Sequence, residues 1–137
     1  MQPDPELLAE TRAWLARAAE DLREVAHDLI AAPPLLRGAL FHAQQAAEKA
    51  MIGFLTWHSR PFRKTHNLTE IGGLCAEVDR TLEPLLRRAA VLTDFAWKYR
   101  YPGEPESPTR EEAEAALALA RAVYDAVLAR LPEEVRP

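Results

Sequence analysis

The chain has 137 residues, enough for one domain (1–137, core about 5–131) whose hydrophobic core can be buried without disulfide or metal staples. Its net charge of −4 excludes a protein that binds polyanions over its whole surface, so any phosphate site must be a local positive feature on an acidic body. Ala, Leu, Glu and Arg dominate, and five glycines are too few to break a strong helical bias. The lone Cys75 excludes an internal disulfide and suits a reducing compartment. Residues 1–6 lack the basic start and apolar run of a signal peptide. No apolar run approaches the roughly 18 residues of a membrane span. A cytoplasmic protein with no membrane partner is the expectation.

Five helical segments follow in order. Asp4 as N-cap and Pro5 at the first helical position open a helix to about Ala31. Along it Leu8, Leu15, Leu22 and Leu29 recur every seven residues, with Ala18 and Val25 between them, as in a bundle seam. Pro33-Pro34 ends it. The second helix runs from about Leu35 to His58, with Leu36, Leu40, Ala43, Ala47, Ala50 and Phe54 inward and Met51 and Leu55 widening that face. Ser59-Arg60-Pro61 breaks it. Asn67 with Glu70 resembles a capping box and opens a third helix to about Val78. Gly72-Gly73 inside that helix marks either close packing or a break. Thr81 is the expected cap of a fourth helix, with Leu82, Leu85 or Leu86, Ala89, Leu92 and Ala96 inward. Residues 101–108 hold three prolines and a glycine and form a loop. Ser107-Pro108, or Thr109 with Glu112, opens the fifth helix, with Ala113, Leu117, Ala120, Tyr124, Val127 and Leu131 inward. Pro132 closes it.

Short connections predict antiparallel neighbours. Under strict alternation, the turn from Trp57 to Asn67 and the turn from Trp97 to Pro102 fall at one end, where their cations build a single anion site.

Several polar features compete with bland readings. His42, Gln45 and Lys49 share one side of the second helix by their spacing. The favoured reading is a solvated face, with Gln44 or Gln45 a candidate for a dimer seam. The alternative gives Lys49 to a phosphate, with Glu48 holding it. Arg60, Arg63 and Lys64 repel one another, which a bound anion would relieve; solvated cations paired with surface Glu residues are the equal alternative. His66 either joins that site or fastens the chain reversal. Trp97-Lys98-Tyr99-Arg100-Tyr101 alternates aromatics and cations. This suits base stacking with phosphate contacts, although packing of Trp97 and of Tyr99 or Tyr101 is the favoured role for the aromatics. The ligand-binding candidates are therefore Lys49, Lys64, His66, Lys98, Arg100 and Tyr101, with Arg100 foremost. The four His residues, 27, 42, 58 and 66, include no pair at i+3 or i+4, and Cys75 has no second cysteine, so no metal site is expected. No phosphate-cradling glycine loop or nucleophile elbow is present, and no catalytic residue or cofactor is assigned.

Three segments, Phe-His-Ala-Gln-Gln-Ala-Ala-Glu-Lys-Ala at 41–50, Lys-Thr-His-Asn-Leu at 64–68 and Arg-Tyr-Pro at 100–102, resemble the HEPN domain. The resemblance runs from Trp14 to about Leu131. It implies an all-α, up-and-down bundle of four or five helices, similar to the helical domain of antibiotic nucleotidyltransferases. It also implies a homodimer, often encoded beside a minimal nucleotidyltransferase, with nucleotides or RNA as ligands of the family. Its ribonuclease branch carries Arg, four to six residues, then His, late in the chain. No His follows Arg100 here. Arg37 to His42 and Arg60 to His66 satisfy the spacing at the wrong places for the family. The expectation is a non-catalytic partner of a nucleotidyltransferase that binds a nucleotide or other phosphorylated ligand. A ribonuclease toxin of a toxin–antitoxin pair, or a plain dimeric scaffold touching an acidic protein partner, are the alternatives, and RNA is the less favoured ligand.

Overall fold

In the computed structural model, residues 2–99, 101–103 and 107–137 are described. Helix α1, Pro5–Ile30, starts where the Asp4 carboxylate accepts the Glu6 N–H at 2.9 Å. Its heptad stripe is buried at Leu15, Ala18, Leu22, Val25 and Leu29, while Leu8 packs at the margin. Helix α2 spans Leu36–Trp57 and α3 spans Leu68–Val78. Asn67 Oδ1 accepts the Thr69 and Glu70 N–H groups, as a cap should. The Glu70 side chain turns outward to Arg63 at 2.8 Å. Gly72 marks close packing and no break: a Cβ there would lie 3.3 Å from Leu86 Cβ.

The fourth helical segment departs from expectation. Asp79, not Thr81, is its cap, and accepts both the N–H and the hydroxyl of Thr81. Those bonds from Thr81, hydroxyl foremost, together with Arg130, hold the Asp79 carboxyl below its usual range. A 3-10 turn, Arg80–Leu82, leads into a short α4, Glu83–Ala89, and a second 3-10 stretch, Ala90–Ala96. Leu82, Leu86, Ala89, Leu92 and Ala96 point inward as expected, with Leu86 rather than Leu85 filling the core.

Helix α5, Arg110–Ala129, begins with a full capping box between Thr109 and Glu112. Its inner face is turned from the expected one. Ala116 and Val123 are buried, whereas Leu117 and Tyr124 are half-buried. α5 lies against α2, α1 and α4, so small residues occupy the closest approach and the larger ones flank it. The core also continues past Leu131, because a terminal 3-10 turn, Glu133–Val135, buries Val135 completely against α1.

Cross-links between elements give the helix directions. Asp21 meets Lys49 and Asp28 meets His42, so α1 and α2 are antiparallel. Arg110 at the start of α5 donates to the Leu29 carbonyl at the end of α1, which makes α5 antiparallel to α1. Leu68 N–H donates to Thr93 Oγ1, so α3 and the α4 segment run antiparallel. α1, α2, the α4 segment and α5 thus alternate in an up-and-down bundle. α3 is the exception. His66 lies beside Gln44 and Glu48, and Cys75 beside Met51, so α3 runs parallel to α2. The intervening segment doubles back along α2 instead of reversing the helical path. Ser59, at φ 52°, turns the chain, and the extended residues around Pro61 give it reach.

Candidate functional site

The Gln/Glu/Lys stretch of α2 is not the solvated face expected. α2 is the central helix, in contact with α1, α3, α5 and the 3-10 stretch after α4. Its Ala39, Ala43, Ala46, Ala47 and Ala50 have no exposed surface, which lets neighbours approach on several sides. Gln44 and Glu48 are therefore buried too. A buried carboxylate is tolerable only when bonded. Glu48 Oε1 faces His66 Nδ1 at 2.7 Å and accepts from Gln44 Nε2 at 3.1 Å. Gln44 also donates to the His66 carbonyl at 3.2 Å and accepts from Gln45 at 2.7 Å. Two of the sequence segments singled out above, 41–50 and 64–68, are thus one network. The doubled-back path places them together, and sequence spacing gives no sign of it.

This network sets the chemistry of His66. With Glu48 as acceptor, Nδ1 carries the proton, and Nε2 is the remaining nitrogen of a side chain that is 65% exposed. The histidine is fixed at its base and open at its tip. Lys64, two residues earlier, is exposed, and no ion pair or hydrogen bond holds it among the described residues. The neighbouring arginines behave otherwise. Arg60 pairs with Glu77, and Arg63 with Glu70. Crowding of cations in this turn is relieved by carboxylates of α3 for two of the three.

Of the other candidates, Lys49 is engaged with Asp21 at 2.6 Å across the α1–α2 seam. Lys98 sits 5.0 Å from the centroid of the Tyr99 ring. Tyr99 is buried and stacks on Phe95, whereas Trp97 and Tyr101 are 56% and 67% exposed. Packing is thus the role of Tyr99. Tyr99 also has φ 65°, uncommon for a bulky residue and a sign that its surroundings over-determine it. Arg100 lies outside the described residues.

The two basic turns do not meet by sharing one end of the bundle. The start of α5 lies near the end of α1, opposite the end where α2 stops. Residues 58–67 instead return toward the middle of α2. The Leu68 N–H, two residues past His66, bonds Thr93 Oγ1 at 3.1 Å, four residues before Trp97.

Three acidic residues that sequence reasoning passed over, Asp21, Glu24 and Asp28, face the His42–Lys49 side of α2. His42 Nε2 is 2.6 Å from Glu24, and its Nδ1 is 2.9 Å from Asp28. A signal was present in the sequence: 21, 24 and 28 have the same three-then-four spacing as 42, 45 and 49. Cys75 is not a reactive site, since burial pushes its thiol up to about 12.

Comparison with protein-family models matches residues 11–131 to the HEPN domain. The chain belongs to the HEPN family. No curated protein and no solved structure gives a significant match. The all-helical fold without strands among the described residues agrees with a HEPN bundle. No helix among them is long and apolar enough to cross a membrane.

Proposed function

We propose that this HEPN protein is the non-catalytic partner of a minimal nucleotidyltransferase and that it binds a nucleotide or another phosphorylated ligand. One observation carries the reading: an exposed imidazole is anchored by the buried Glu48–Gln44 network, two residues from Lys64, which has no partner among the described residues. Restraint of His66 lowers the entropy lost when it grips a ligand. Lys64 supplies a point charge for phosphate. Arg100 and Tyr101 complete the proposed binding set, and a homodimer is its proposed assembly. Lys49 is withdrawn to the seam.

The test is titration of ATP, and separately of inorganic phosphate, into the purified chain. Saturable binding is expected, weakened about tenfold or more by Lys64→Glu or His66→Ala, given the loss of a charge-assisted contact. Helicity by circular dichroism should stay unchanged. Affinity that survives both substitutions would remove the site, and absence of saturable heat with either ligand would favour the plain scaffold. Metal-independent RNA cleavage abolished by His66→Ala would instead make the chain a ribonuclease.

A further inference from the structure

We propose that Asp21, Glu24 and His42 form a binding site for a divalent transition-metal ion across the α1–α2 seam, with Asp28 orienting the imidazole. One ligand-type atom from each of the three lies within 4.8 Å of the other two. Two helices supply the donors, so the site exists only once α1 and α2 have packed.

The carrying observation concerns the two nitrogens of His42. Nδ1 faces Asp28 at 2.9 Å and Nε2 faces Glu24 at 2.6 Å. A neutral imidazole has one N–H and one lone pair. Whichever tautomer forms, one nitrogen lone pair would point at a carboxylate oxygen within hydrogen-bonding distance, and lone pairs repel. A cation must fill one gap. A second proton on His42 meets the need of the imidazole alone. A metal ion at Nε2 meets it and also engages Glu24 and Asp21, while Asp28 accepts the Nδ1 proton. Ligating histidines ordinarily give their other N–H to such an acceptor, which fixes ring and tautomer.

Charge and access agree with this. Asp21, Glu24 and Asp28 bring three negative charges, against one positive charge from Lys49. With neutral His42, a divalent ion closes the balance. Asp21 is 7% exposed; Lys49 binds one of its oxygens, Oδ2, and a carboxylate has two. Glu24 is 43% exposed at its side chain, so an ion can enter from solvent and keep water in its outer positions. One imidazole with two carboxylates suits zinc-like ions better than magnesium, which takes oxygen ligands.

Titration of Zn2+ into the chain, with Mg2+ in parallel, tests the site. The expected result is one equivalent of Zn2+ bound and little Mg2+ uptake. His42→Ala should abolish uptake. Asp28→Asn should weaken it by about 10- to 100-fold, the usual effect of losing an orienting partner. His42→Gln, with helicity followed by circular dichroism, covers the case in which the alanine variant misfolds. His58→Ala is the control and should bind as the wild type does. Zinc uptake that survives both His42 substitutions, or that perturbs the His66 ring signals in place of those of His42, would overturn the proposal. So would failure to bind zinc at all.

Discussion

The α1–α2 seam and the segment from residue 58 to 67 both carry cations, and they use them in opposite ways. In the seam, Lys49 is bound to Asp21, and His42 is clasped by Glu24 and Asp28. Both of its basic side chains are engaged from the opposite helix. In the returning segment, Arg60 and Arg63 are paired, but among the described residues Lys64 has no partner and His66 commits one nitrogen only. Charge alone therefore does not indicate function. What separates the two regions is whether packing has already brought the counter-charge.

The largest expected effect comes from breaking the seam. Lys49→Ala leaves Asp21 desolvated without its ion partner, at a cost of about 2–4 kcal/mol, reduced from the fully buried case because Lys49 keeps some water. Urea denaturation checks this. The double change Lys49→Met with Asp21→Asn should recover much of the loss. If the metal site exists, Zn2+ should raise the melting temperature of both the wild type and Lys49→Ala, since it binds only the folded seam.

Glu48→Ala should come next. It removes the acceptor shared by His66 and Gln44 and costs about 1–3 kcal/mol, the usual penalty for stranding buried donors. The same substitution should weaken any ligand held by His66. A stability loss without that second effect would show the network to be purely structural.

A smaller change, of opposite sign, is expected at Thr11. Its hydroxyl is buried and lacks a hydrogen-bond partner among the described residues. Thr11→Val keeps the shape and removes the orphan group, so stability should rise by about 0.5–1 kcal/mol in the same assay.

The smallest effect is a pH dependence at His58, whose ring lies 4.6 Å from that of Phe54. Burial lowers its pKa below 6.5, outweighing the opposing field of Asp79. The unfolded chain therefore binds its proton first as pH falls. Stability should decline as pH drops below 6.5 and level off once the folded state is protonated too. His58→Asn should flatten this part of the melting-temperature profile.

Much of the bundle was legible from local rules. The Asp4 and Asn67 caps, the Thr109–Glu112 box, the double proline after α1 and the leucine heptads act within one or two turns of helix, and each appears where its residues place it. Failures began where neighbours decide. Leu117 and Tyr124 yielded the centre of the α5 interface to Ala116 and Val123 because several elements approach that helix. Thr81 yielded the cap to Asp79, whose carboxylate also takes Arg130 from the far end of α5. His66 and Lys64 were picked out by residue type, but nothing local announces that Gln44 and Glu48 lie beneath the histidine.

By itself, the sequence determined the helices, their ends, the inward stripes of α1 and α2 and membership in the HEPN family, because capping, periodicity and motif order are encoded over short spans. Tertiary structure alone decided the parallel course of α3, the burial of Glu48 and the facing of three carboxylates toward His42 and Lys49. Each of these depends on which surfaces exclude water together. A polar residue on a helix carries no mark of whether a neighbour will cover it.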